Sequence, residues 1–224
     1  MSAAAVLLAG GSGSRVGAAR NKVLLPVAGR PVLAHSAQVA AEVSDLVVVV
    51  VRPGDEAAVR SVVDAEVEVP VETVAGGATR HASEWSALRL LAGRIEGGEI
   101  DLVAIHDAAR PLASPALWRA VLAQARERGG ALPTRPAAGV VSADGLTPPP
   151  PGEQWVGVQT PQAFRARPLL AAYVAAQRDG FEGTDTAACV AAYSDLAVVA
   201  VPGEATNLKV TYPEDVTLAE RLLR

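Results

Sequence analysis

Short aliphatic runs bounded by Gly, Pro and Asp alternate along this chain with longer stretches in which apolar residues recur every three or four positions. The runs Ala3 to Ala9, Leu46 to Val51, Val67 to Val74, Leu102 to Ile105 and Leu196 to Val201 read as strands. They are rich in Val and nearly continuous, as strands buried on both faces are. The periodic stretches predict helices over Pro31 to Glu42, Asp55 to Asp64, Thr79 to Leu91 and Ser114 to Arg128, then Pro168 to Arg178, Thr184 to Tyr193 and Pro213 to Leu223. Ser114 followed by Pro115 has the form of an N-cap and first helical residue. Strand and helix in alternation predict an α/β fold, a mostly parallel sheet with helices on both faces. Such sheets bind ligands at the carboxyl ends of their strands.

The pattern fails from Pro133 to Gln162. Pro133, Pro136 and the run Pro148 to Pro151 forbid regular helix and leave short extended pieces at best. The expected arrangement is therefore a single domain over residues 1–224 with an irregular Pro-rich arm at about 134–159. A segment of that length inside a compact domain is usually functional or disordered.

Composition narrows the classes. Hydrophobic residues make up 50% of the chain but aromatic ones only 4%, so the core is built from Ala, Val and Leu. The net charge is −4 and no long block of like charge occurs, which gives no electrostatic footprint for nucleic acid or an anionic membrane. The apolar run at the start is broken by Gly10, too soon for a signal peptide or span, and the one cysteine, Cys189, suits a reducing compartment. A cytoplasmic location is the expectation. The chain has 18 Arg but only two Lys, Lys22 and Lys209. Either this is chance, or those two positions require a compact ammonium.

The stretch from Leu7 to Lys22 carries the first chemistry. A glycine-rich turn after a first strand leaves backbone N–H groups free to cradle phosphate or to approach a base. Val16 stands where a dinucleotide-binding loop would need its third glycine, and the Gly-Lys-Ser/Thr ending of a P-loop is absent. Arg15 and Lys22 supply two positive charges suited to a polyphosphate. Ala9-Gly10-Gly11-Ser12-Gly13-Ser14-Arg15, with a lysine shortly after, resembles the signature loop of sugar-nucleotide pyrophosphorylase-type nucleotidyltransferases.

Four further stretches follow in order: Gly76-Gly77 with Arg80 and Ser83; Ile105 to Pro111, reading Ile-His-Asp-Ala-Ala-Arg-Pro; Gln159 to Phe164; and Asn207 to Thr211 with Pro213-Glu214-Asp215. With these, nearly the whole chain is similar to the 2-C-methyl-D-erythritol 4-phosphate cytidylyltransferase family. The resemblance implies a Rossmann-like three-layer domain, a homodimer joined through the arm, and in-line attack by a polyol phosphate on the α-phosphorus of CTP. It assigns Arg15, Lys22 and Lys209 to catalysis. Ala9 to Ser14, Gly76, Gly77, Arg80 and Ser83 would bind the nucleotide, with Ser83 reading the base. Asp107, Arg110, Thr160 and Thr184 would bind the acceptor, and Asp107 would also meet Mg²⁺ through water. On the residues alone, Asp107 also suits an Asx turn, Arg110 a surface ion pair, Ser83 a satisfied helix serine, and Thr184 or Asp185 an ordinary N-cap. The Pro after Thr160 biases it to extended geometry with its hydroxyl outward, and Arg80, in a first helical turn where the dipole disfavours a cation, is expected to meet an outside anion.

Three departures from the family pattern stand out. Asn21 replaces the Pro before the first lysine, which implies a less stiff loop. In the arm, Pro133 to Ala138 lacks a hydroxyl at the place of an Asp-Thr pair, and Gly152 stands where an arginine would reach the acceptor's phosphate. Thr134, Arg135 or Gln154 are the nearby substitutes. Three readings therefore stay open: methylerythritol phosphate as acceptor, ribitol 5-phosphate or another polyol phosphate, and a non-catalytic nucleotide-binding paralogue.

Overall fold

A computed structural model describes residues 2–11, 21–137, 140, 150 and 152–223. The strands are β1 (Ala3–Leu8), β2 (Pro26–Val27), β3 (Arg30–Pro31), β4 (Leu46–Val51), β5 (Val71–Ala75), β6 (Leu102–Asp107), β7 (Gly130–Pro136), β8 (Val156–Val158), β9 (Gln162–Arg165) and β10 (Val198–Pro202). The helices are α1 (Val32–Val43), α2 (Glu56–Glu66), α3 (Arg80–Gly97), α4 (Pro115–Arg128), α5 (Ala166–Asp179), α6 (Thr186–Tyr193) and α7 (Pro213–Leu222).

One sheet runs in the order β10-β7-β9-β6-β1-β4-β5, with β8 added beside β7, and β2 with β3 forms a separate hairpin. β1 pairs in parallel with β4 and β6, and β4 with β5. β9 alone runs against both its neighbours, β6 and β7. Alternation along β1 divides the core in two. Ala3, Ala5 and Leu7 face α1, α2 and α4, whereas Ala4 and Val6 face α3, α5 and α6. Small side chains on β1 let helices close down on both faces, giving the expected three layers.

The helices begin where their capping residues allow. Ser114 Oγ accepts from Leu117 N at 3.1 Å with Pro115 at the first helical position. Thr79 does the same for α3 through Ala82 N at 3.1 Å. Asp185, rather than Thr184, caps α6 by accepting from Ala188 N at 2.9 Å.

The arm differs from expectation at its base. Pro133 and Pro136 lie within a strand, β7, because the missing N–H of Pro133 falls where partners change: β9 pairs only with Gly130 and Ala131, and β8 takes over from Thr134. The carbonyl of Pro133 still accepts from Gln159 N at 2.8 Å. Beyond the strand, Ala137 N donates to Trp155 O at 3.1 Å. β5 starts later than the aliphatic pattern implied, since Pro70 separates Val67 and Val69 from it. Among the described residues no helix is long and apolar enough to cross a membrane.

Candidate active site

The carboxyl ends of β1, β5 and β6 deliver Gly10, Gly76 and Asp107 to one rim of the sheet. A cavity of about 330 Å³ opens there, lined by Gly10, Gly11, Lys22, Gly77, Thr79, Arg80, Ser83, Asp107 and Lys209, with Leu8, Val23, Ala78 and Ala109 as apolar floor. Lys22 opens a single 3-10 turn (Lys22–Leu24) that Asn21 anchors. Asn21 is fully buried; its Nδ2 donates to Ala9 O at 2.7 Å and to Asp55 Oδ2 at 3.0 Å, and its Oδ1 accepts from Val23 N at 3.3 Å. These bonds fix Asn21 and the turn after it, with the carbonyl of Ala9 as one anchor.

On the opposite wall, Ser83 Oγ accepts from Gly77 N at 3.2 Å, fixing the turn between β5 and α3. A Cβ on Gly77 would lie 2.4 Å from that of Ala82, so only glycine lets this backbone pass so close to the helix. Gly76 sits behind the cavity, its N–H donating to Val51 O at 2.8 Å.

Asp107 is the centre. Its Oδ1 lies 2.8 Å from Arg80 Nη1, and its Oδ2 lies 2.8 Å from Lys209 Nζ and 3.5 Å from Arg110 Nε. Burial would raise this carboxyl's pKa, but Arg80, Lys209 and Arg110 outweigh it and hold the group well below the usual carboxylate range. One carboxylate thus gathers three cations, and with Lys22 the cavity is strongly positive.

The backbone around Asp107 is clamped. Thr160 Oγ1 accepts from Asp107 N at 3.0 Å and lies 3.1 Å from His106 Nδ1, while His106 Nε2 lies 3.2 Å from Arg110 O. With the threonine hydroxyl donating to Nδ1, the imidazole carries its proton on Nε2 and gives it to the Arg110 carbonyl. The loop carrying Lys209 is tied to the same point. Asn207 Nδ2 donates to Thr160 O at 2.9 Å, Arg110 Nη1 donates to Asn207 O at 2.8 Å, and Val210 N donates to Ala109 O at 2.8 Å. Gln159 fastens the near side, donating to Glu204 O at 2.8 Å and accepting from Glu204 N at 3.1 Å.

Comparison with known proteins agrees with this geometry. The family model for 2-C-methyl-D-erythritol 4-phosphate cytidylyltransferase matches residues 3–224. The chain belongs to that family. Among named relatives, the cytidylyltransferase of that name from Cereibacter sphaeroides (strain KD131) is 39% identical over 235 residues, covering 100% of this chain and 97% of its own. The one from Synechococcus elongatus is 37% identical over 223 residues, covering 96% and 94%. The crystal structure of the Thermus thermophilus enzyme matches with a TM-score of 0.72 at 32% identity, over 98% of each chain. The 4-diphosphocytidyl-2C-methyl-D-erythritol synthase of Anaerococcus prevotii matches with a TM-score of 0.83 at 26% identity, covering 99% of this chain and 97% of that one.

Within this cytidylyltransferase the expected residues separate into groups. Lys22, Lys209, Arg80, Ser83, Gly10, Gly11, Gly77 and Asp107 meet in the cavity. Ser12, Gly13, Ser14 and Arg15 lie outside the described residues. Thr160 corrects an expectation: it is buried, and its hydroxyl points inward to His106 and Asp107 rather than out to a ligand. Arg80 likewise meets internal carboxylates, Asp107 and Glu84, before any outside anion. Arg110 is no surface ion pair; its guanidinium is turned to Asp107 and Asn207. Thr184 is exposed and outside the cavity lining, one residue before the cap. Gly152, at φ +87° with open space on the side where a Cβ would project, and Ala137 are not among the residues that line the cavity. Sequence reading missed His106, Asn207 and Glu84 as structural partners of the site, although the first two stand inside the quoted motifs.

A metal site built by the chain does not fit. Among the described residues no three His, Cys, Asp or Glu side chains cluster, and both oxygens of Asp107 are already engaged by Arg80 and Lys209. A dication bound directly to Asp107 would compete with Arg80 and Lys209 for its oxygens.

The buried imidazole gives a pH test. Burial, the larger effect, pushes His106 down to about 4 from 6.5. Between those values the unfolded chain binds a proton that the folded chain does not, so stability falls as pH falls, by roughly 3 kcal/mol across the window. Urea midpoints measured from pH 7 to pH 4 are expected to fall less steeply in His106→Gln than in the parent; equal slopes would contradict a neutral buried imidazole.

Proposed function

We propose that the chain joins CTP to 2-C-methyl-D-erythritol 4-phosphate, giving 4-diphosphocytidyl-2-C-methyl-D-erythritol and pyrophosphate for isoprenoid precursor synthesis. The observation that carries this reading is the convergence of Arg80 and Lys209 on one carboxylate in a cavity that Lys22 also lines, beside the glycine-lined turn that Ser83 fixes. An acceptor phosphate oxygen attacks the α-phosphorus, the bond to the bridging oxygen of the β-phosphate breaks, and pyrophosphate leaves with that electron pair. Both reactants are anions, so the chain's contribution is charge neutralisation and alignment.

Lys22 and Lys209 flank the cavity and meet the triphosphate, while Asp107 holds the Lys209 ammonium in place until then. Direct transfer, without a covalent enzyme intermediate, is supported by the state of the two hydroxyls that line the cavity among the described residues: Thr79 caps α3 and Ser83 is bonded to the Gly77 peptide. A divalent cation, expected as Mg²⁺, would add charge neutralisation on the triphosphate; Asp107 is already paired with Arg80 and Lys209. The base reads against the Gly76-Gly77 turn and Ser83.

A second acceptor, ribitol 5-phosphate or a related polyol phosphate, is favoured by Ala137 and Gly152, which offer neither a hydroxyl nor a cation where the family resemblance implies phosphate contacts. Pyrophosphate release with CTP and Mg²⁺, run in parallel on the two acceptors, separates them. Turnover on methylerythritol phosphate supports the main reading; turnover on ribitol phosphate alone replaces it, and CTP binding without turnover on either leaves a nucleotide-binding protein. In the productive assay, Lys22→Ala and Lys209→Ala are each expected to lose roughly a hundredfold or more in kcat with unchanged circular dichroism. Near-normal rates in both would sink the mechanism.

We also propose a homodimer built through the arm, supported by the exposed valines of the edge strand β8, Val156 and Val158, at 44% and 45% exposure. Light scattering is expected to report a dimer for the parent and a monomer for the double substitution Val156→Glu, Val158→Glu; a dimer in both would remove this edge from the interface.

A further inference from the structure

Behind the cavity lies a second carboxylate that the reaction does not use. Glu84, in the first turns of α3, is fully buried, and two other helices and a residue of its own helix close on it. Tyr173 of α5 donates its phenol to Oε2, Thr186 of α6 donates its hydroxyl to Oε1 at 2.8 Å, and Arg80 Nε lies 3.1 Å from the same Oε1. On its other side Arg80 reaches Asp107 at 2.8 Å. Acid and base therefore alternate in a line from the protein interior to the cavity, Glu84, Arg80, Asp107, Lys209; burial pushes the Glu84 carboxyl up from its ordinary value, and Arg80 with the two hydroxyl donors opposes that rise.

A guanidinium held by one carboxylate can swing about that contact. Paired with two, it is held at both ends: Nη1 is hydrogen-bonded to Asp107, and Nε is in ion-pair contact with Glu84 without hydrogen-bond geometry. The two hydroxyl donors fix Glu84 in turn, so the packing of α5 and α6 on the back face is carried to Asp107 at the front.

We propose that Glu84 is a positioning residue for nucleotidyl transfer: it locks Arg80 from behind, and so fixes Asp107 and the Lys209 ammonium where the reacting phosphates meet them.

This deepens the function proposed above, and the test has one arm that does not depend on the acceptor. Glu84→Gln keeps the shape and removes the charge. The Nε–H signal of Arg80 in ¹H–¹⁵N spectra, identified by its absence in Arg80→Lys, is expected to exchange slowly in the parent, where Nε is buried beside the Glu84 carboxylate, and faster in Glu84→Gln, where the side chain is no longer held there. Unchanged protection would overturn the proposal, whichever acceptor is used. In the kinetic arm, Glu84→Gln is expected to lower kcat about tenfold or more with the dissociation constant of CTP changed by less than about threefold, and to have almost no further effect in an Arg80→Ala background. Equal losses in both backgrounds would mean that Glu84 supports the fold and not Arg80, and would also overturn it. Should Glu84→Gln fold poorly, Tyr173→Phe removes one donor to the carboxylate and keeps the ring; it is expected to shift the same two readouts in the same direction, and no shift would count against the proposal. A parent chain that releases no pyrophosphate with any polyol phosphate tells against the function, while the spectroscopic arm still decides the role of Glu84.

Discussion

Everything in the cavity depends on the pairing of one buried carboxylate with three cations drawn from separate parts of the chain. Arg80 comes from the start of α3, Arg110 from the turn after β6, and Lys209 from the loop between β10 and α7. Without Asp107 these groups would repel one another; with it, they share a common anchor and still leave a surplus of positive charge for a triphosphate. A buried carboxylate with its cations removed would be strongly unfavourable, so anchor and cations fix each other.

The sheet makes that pairing possible. β6 ends on Asp107, its neighbour β1 ends before the glycine turn, and β5 ends before Gly76-Gly77, so parallel strands deliver three loops to one rim. The antiparallel β9 does a different task. It enters through Thr160, whose hydroxyl joins Asp107 N to His106, and through Asn207 that junction is extended to the lysine loop. Positive charge is concentrated by a scaffold of neutral hydrogen bonds beneath it.

Much of this was legible in the sequence because local pattern and local structure agree. Aliphatic runs at Ala3, Leu46 and Leu102 became central parallel strands, Ser114-Pro115 began a helix, and the two lysines in an arginine-rich chain both reached the cavity. What the sequence hid depends on distance along the chain. Thr160 read as an outward hydroxyl because nothing near it in sequence shows that it lies against His106, 54 residues earlier. Glu84 read as a helix residue because its donors are 89 and 102 residues away. Pro133 argued against a strand because the change of partners from β9 to β8 is a tertiary fact. The anchoring of the Lys22–Leu24 turn was likewise invisible at Asn21, whose side-chain hydrogen bonds reach Ala9 and Asp55.

The central claim is that Asp107 organises cations, and does not merely add a negative charge to an anion-binding cavity. Asp107→Asn tests it through equilibrium CTP binding and single-turnover rate on one preparation. The account predicts CTP affinity unchanged or tighter, since a repelling charge is gone, together with a rate lower by about a hundredfold because Lys209 and Arg80 lose their anchor. A rate close to that of the parent would contradict it, for the cations would then need no carboxylate to hold them.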